Sequence, residues 1–142
     1  METILKNNKR IILPLLLLLS LASCSKKINF LTSPVVPAAR GYVKINNDKN
    51  KNYVIQIQLL ELAEVQRLQP SKQTYVIWMV TEEDVSKNMG QIKSSSGMLS
   101  KQLKASFESV SPFKPTKIFI TAEDDPSIQF PGTQVVLSTD KF

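Results

Sequence analysis

From Arg40 onward, apolar side chains recur at every second position in short runs separated by polar or proline-containing turns. Val43 and Ile45 alternate with Tyr42 and Lys44. Asp48-Lys49-Asn50-Lys51-Asn52 reads as a turn, and after it Tyr53, Ile55, Ile57 and Leu59 alternate with Val54, Gln56 and Gln58. Successive side chains of a strand point to opposite faces, so this spacing predicts a half-buried strand with one wet face. Leu62, Val65 and Leu68 stand three apart instead, which fits a short helical turn ended by Pro70. Thr74 to Thr81 is apolar at both parities and predicts a central strand covered on both faces. Gln91-Ile92-Lys93 predicts a short, weak strand after Gly90, and Ser94-Ser95-Ser96-Gly97 a turn. Leu103, Ala105 and Phe107 alternate with Lys104, Ser106 and Glu108, and the runs 117–121 and 134–138 complete the set. About seven short strands divided by turn signals predict an all-β fold, an immunoglobulin-like antiparallel β-sandwich, with a small barrel as the alternative. Trp78 is expected between the two sheets, where a central-strand tryptophan commonly packs.

The alternation fails before Arg40. Lys6-Asn7-Asn8-Lys9-Arg10 precedes an apolar run from Ile11 to Ala22 and then Ser23-Cys24. A basic head, a greasy middle and small residues before a cut make a secretory signal peptide. The run is about a dozen residues, short of the roughly 20 needed to span a bilayer. Leu21-Ala22-Ser23-Cys24 resembles the bacterial lipobox, in which the signal is cleaved before a cysteine that is lipidated. That resemblance implies Cys24 as the lipid attachment site of a palmitate-bearing lipoprotein. The chain therefore divides into a signal peptide over 1–23, a tether over 24–39 and a β-sandwich domain over 40–142. Pro34 and Pro37 favour extended backbone in the tether. Ile28, Phe30 and Leu31 fit a free tether poorly, and the competing reading makes them a first strand.

Composition narrows the chemistry. Removing Glu2, Lys6, Lys9 and Arg10 with the signal takes the formal charge from +6 to +4. The lysines are scattered, with no basic helix or stripe, which argues against nucleic acid. The chain has no histidine and one cysteine. It thus lacks the commonest general base, the usual proton switch and the commonest zinc or copper ligand. No cofactor and no catalytic residues are expected, and an enzyme is not.

Tyr75-Val76-Ile77-Trp78-Met79, Ile118-Phe119-Ile120-Thr121-Ala122-Glu123, the loop through Pro131-Gly132 and Val135-Val136-Leu137 resemble the extracytoplasmic domain of anti-sigma-K-type factors. The resemblance covers roughly the last half of the chain and implies an immunoglobulin-like sandwich outside the cytoplasm. It departs at Asp124-Asp125-Pro126-Ser127, where that family usually has a glycine-rich stretch. Regulatory members also carry a sigma-binding segment and a transmembrane helix, which are not read in this sequence.

The acidic runs Glu82-Glu83-Asp84 and Glu123-Asp124-Asp125 have the residue types of a calcium site. In this topology they fall at opposite ends of the sandwich, so they are read as solvated turns and no metal site is expected. Tyr42, Tyr53 and Tyr75 are candidate surface aromatics, and Phe113 and Phe130 lie in proline-flanked loops. Tyr42, Phe113 and Phe130 are the candidate binding residues. The expected function is a membrane-anchored, non-enzymatic binding or assembly module of the cell envelope, meeting another envelope protein. The alternatives are an anti-sigma-related sensor domain without its cytoplasmic arm and a carbohydrate-binding lipoprotein. The expected place is the outer membrane, facing the periplasm.

Overall fold

The computed structural model describes residues 25–92 and 104–142. The signal segment, Cys24 and the Ser94–Gly97 turn lie outside the described residues. The alternating runs become eight strands: β1 (Lys26–Asn29), β2 (Arg40–Asn47), β3 (Tyr53–Leu60), β4 (Thr74–Thr81), β5 (Ser86–Ile92), β6 (Lys104–Ser111), β7 (Pro115–Glu123) and β8 (Val135–Ser138). They build two antiparallel four-stranded sheets, ordered β1-β2-β3-β6 and β5-β4-β7-β8. Apart from β1, the order is that of immunoglobulin-like sandwiches, three strands facing four. The long-range pairings β3–β6 and β4–β7 define it. No helix among the described residues is long and apolar enough to cross a membrane.

One parity of each strand makes the core. Val43, Ile55, Ile57 and Leu59 of the first sheet face Tyr75, Ile77, Met79, Ile118 and Ile120 of the second, all essentially without solvent contact. Burying each large side chain stabilises the fold by about 1.5–3 kcal/mol. The crossover from β3 to β4 plugs one end of the core. Leu62, Val65 and Leu68 are all buried there around a 3₁₀ turn at Val65–Arg67, as their spacing suggests.

Tyr75 departs from its expected surface position. It shares a face with Ile77 and Met79 and is fully buried, with its hydroxyl donating to the Ala63 carbonyl at 2.9 Å. Burial pushes the phenol up to about 12 from its ordinary 10. The folded state therefore holds this proton more tightly than the unfolded chain. Its contribution is complete below pH 10 and is lost as the pH rises to 12. Unfolding titrations between pH 10 and 12 are expected to show a loss on the order of 1–2 kcal/mol that Tyr75→Phe abolishes.

Trp78 also lies elsewhere than expected. Tyr75, Ile77 and Met79 occupy the inward parity of β4, so Trp78 points away from the facing sheet. It is nonetheless fully buried. Its ring stacks on Phe119 with centroids 6.2 Å apart, and its indole N–H donates to Thr121 Oγ1 at 2.8 Å. The second sheet thus carries a small apolar layer on its outer face, where the β7–β8 loop is tied down by Asn88. Both parities of β4 are covered, as its composition predicts.

The tether reading is corrected as well. Lys26–Asn29 pairs with β2 as an edge strand, with Ile28 opposite Val43. The chain then changes sheets: the Phe30 amide donates to the Gly41 carbonyl and the Leu31 amide to the Ser138 carbonyl. Val36 and Ala39 are buried in the core. Ile28 is half-buried and Phe30 packs against the core, whereas the Leu31 side chain stays exposed and is held by its backbone alone.

The weak strand expected at 91–93 belongs to a longer one, Ser86–Ile92. Its first half is polar, so no apolar alternation marks it, yet β4 supplies hydrogen-bonding partners along its length. A register shift follows at Met89-Gly90. Gly90 has φ +130°, a conformation side chains rarely adopt, and a Cβ there would stand 3.3 Å from the Phe107 ring.

Candidate functional site

The structure separates the three candidate binding aromatics. Tyr42 lies on the outer face of the first sheet. Phe113 is in the β6–β7 loop, at the end where β1 begins. Phe130 is in the β7–β8 loop, which leaves the opposite end and folds back over the outer face of the second sheet as far as Asn88.

The far end holds the most built surface. Phe130 is 83% exposed, the highest value of any large apolar residue described. Its loop is braced at three points. Asn88 Nδ2 donates to the carbonyls of Pro126 and Ile128, both at 2.9 Å. Asp125 Oδ1 accepts from the Ser127 amide and hydroxyl at 2.8 and 2.7 Å, which holds its carboxyl below the ordinary range. Glu123, almost buried at the end of β7, accepts from the Gly132 amide at 2.7 Å. Glycine permits this close approach, since a Cβ at Gly132 would stand 2.6 Å from the Glu123 carboxylate and displace it. Phe130 therefore projects from a fixed frame.

Beside this loop lies a shallow hollow of about 770 Å³, lined among others by Pro34, Val35, Pro70, Lys72, Gly132 and Val135. Val35 and Val135 are each more than a third exposed. Lys72 Nζ pairs with Asp124 at 2.7 Å on its rim. The lining mixes these apolar groups with Gln69, Thr133 and Gln134, a composition compatible with a protein contact.

The outer face of the first sheet is polar around Tyr42. Lys27 and Lys44 place their ammonium groups 4.1 and 5.7 Å from the Tyr42 ring centre. Gln56 Nε2 donates to Glu108 at 2.7 Å. Tyr42, Lys44, Gln56, Gln58, Ser106 and Glu108 line a hollow of about 310 Å³.

The end where β1 begins carries the Asp48–Asn52 turn, in which Asp48 accepts from the Asn50 and Asn52 amides and the Asn52 side chain. These bonds, the Asn52 side chain's foremost, hold the Asp48 carboxyl below its ordinary range. Phe113, 48% exposed, lies under the Lys87 ammonium at 4.3 Å.

The two acidic runs stand at opposite ends, because β4 and β7 run antiparallel as neighbours. The chain does bring its C-terminal segment to the first run, but through a cation: Lys141 Nζ meets Asp84 at 2.8 Å. Lys114 meets Glu82 at 2.6 Å. Among the described residues no group of three or more Cys, Asp or Glu comes together as metal ligands.

Sequence reasoning missed Asn88, Glu123 and Val35 as parts of the far-end surface. Asn88 sits in a polar run with no periodic signal, and nothing in the eight residues between Glu123 and Gly132 announces their bond. Comparison with family models, with curated proteins and with solved structures finds no match for this chain.

Proposed function

We propose that the chain is a lipid-anchored, non-enzymatic binding module of the bacterial cell envelope, held at the outer membrane through Cys24 and presenting its far end to another envelope protein. The observation that carries this reading is Phe130, exposed on a braced loop that rises from the end opposite the N-terminal strand. A pre-ordered loop spares much of the entropy that binding otherwise costs, so an aromatic held this way is suited to anchor a contact. The anti-sigma-K-like resemblance supports the same use of a sandwich outside the cytoplasm, with any signalling arm supplied by a separate protein.

Crosslinked capture with the lipidated protein from its native envelope tests the reading. A defined partner is expected. Phe130→Ala is expected to weaken its binding by about 2 kcal/mol, roughly thirtyfold. The same change should leave folding stability within about 0.5 kcal/mol, because the side chain touches little. Unaltered capture by Phe130→Ala would remove the far end from consideration.

The Tyr42 face favours a second reading, a seat for an acidic polysaccharide. Two ammonium groups at one aromatic ring, with amide side chains beside them, suit a polar anionic chain. Retention on an immobilised acidic polysaccharide, lost in Tyr42→Ala, is the expected result. No retention of the unaltered protein would retire it.

A further inference from the structure

We infer that the end of the sandwich holding the head of β1, the Asp48–Asn52 turn and Phe113 rests directly on an anionic bilayer surface. The inference builds on the lipid-anchor reading and specifies how the domain is held. Strand β1 begins at Lys26, so Cys24 and Ser25 alone separate the lipid from the folded domain. Two extended residues reach roughly 7 Å. A tether of that length cannot lift the domain off the membrane, and it selects which end faces down. The far end then stands about 25–30 Å away, the length of an eight-residue strand.

The charge distribution matches this placement. Among the described residues Lys26, Lys27, Lys49, Lys51 and Lys87 have no carboxylate partner, and all lie at or beside the anchored end. The acids of this end are Asp48, Asp140 and the Glu82–Asp84 turn, where Lys114 and Lys141 cover two of the three, so the lysines remain in excess. At the far end Arg40, Arg67 and Lys72 are each engaged by Glu61, Glu64 and Asp124, and among the described residues of that end Lys104 is the one cation without such a partner. Lysines near a membrane surface are attracted by anionic headgroups, and the attraction fades within a Debye length.

The anchored end also has apolar surface for the headgroup region. Phe113 and Val85 are each nearly half exposed. Lys87 lies over the Phe113 ring, and Lys26 stands 5.3 Å from the Phe142 ring centre. An aromatic ring under a long cationic side chain suits an interface that is apolar below and charged above.

The test uses the lipidated full-length protein in phosphatidylethanolamine–phosphatidylglycerol vesicles, with a fluorophore on Asn50→Cys or on Ser71→Cys, the latter exposed in the β3–β4 crossover at the far end, and a quencher carried on lipid headgroups. Quenching is expected to be several-fold greater at position 50 than at 71, and to fall toward equality in phosphatidylcholine vesicles. Equal quenching at both positions on anionic vesicles, or a contrast unchanged by neutral lipid, overturns the inference while the anchor reading stands. Failure of the protein to float with vesicles at all removes the anchor reading and this placement together.

Discussion

Replacing Trp78 with alanine is expected to destabilise the domain by about 3–5 kcal/mol, the range for deleting a large buried aromatic. That is a large share of the 5–15 kcal/mol typical of a domain. The ring lies outside the inter-sheet core, so the loss does not come from separating the sheets. It comes from the layer on the outer face: the stack on Phe119 at 6.2 Å, the bond to Thr121 and the ground beneath the braced loop. Thr121→Val separates these contributions. It removes the hydroxyl while keeping the shape, and leaves a buried indole N–H without its partner at a cost of about 1–3 kcal/mol. Urea unfolding followed by circular dichroism measures both. An unchanged midpoint for Thr121→Val would show that the indole faces another way.

Gly41→Ala is the second large effect expected, about 1–3 kcal/mol or more from overpacking. A Cβ at this position would overlap the Gln58 carbonyl oxygen and stand 2.7 Å from Leu59 Cδ2. The principal obstacle is the backbone of a paired central strand, which cannot swing aside. Gly41 also accepts the Phe30 amide, so parting β2 from β3 loosens the attachment of β1. The variant is therefore expected to unfold at lower denaturant and to lose hydrogen-exchange protection at the Phe30 amide. Gly132→Ala is the informative contrast, because its obstacle is the tip of the Glu123 side chain. An unaltered midpoint for Gly41→Ala would mean that the two strands adjust at little cost.

Under the proposed reading the two ends of the sandwich have separate work. One meets lipid through the anchor and the unpaired lysines, the other holds Phe130 out on a frame of side-chain bonds. Neither assignment was accessible from Tyr42, Phe113 and Phe130 as residue types. All three are aromatics beside polar or proline-rich sequence, and only the order of strands assigns them to a face or an end.

Period-two alternation identified the runs that became β2, β3 and β6, since a strand with one wet face writes that face into its residues, and short apolar runs bounded by turns marked β4, β7 and β8. It also marked the buried crossover through Leu62, Val65 and Leu68. It did not reveal β5, whose head is polar, or decide whether Ile28, Phe30 and Leu31 were strand or tether. Those segments adopt strand or loop because β4 and β2 offer unsatisfied edges beside them, which no local pattern records.

The inward or outward sense of a strand apolar at both parities is the same kind of problem. Tyr75 and Trp78 lie on opposite faces of β4, and local composition cannot say which face meets the other sheet. The amino-acid sequence alone determined an all-β architecture and the turns between the described strands, because each depends on residue type and near spacing. Only the tertiary structure decided that Trp78 faces outward, that Lys26–Asn29 is an edge strand and that Phe130 stands on a loop braced against the second sheet, because each depends on pairings between residues distant along the chain.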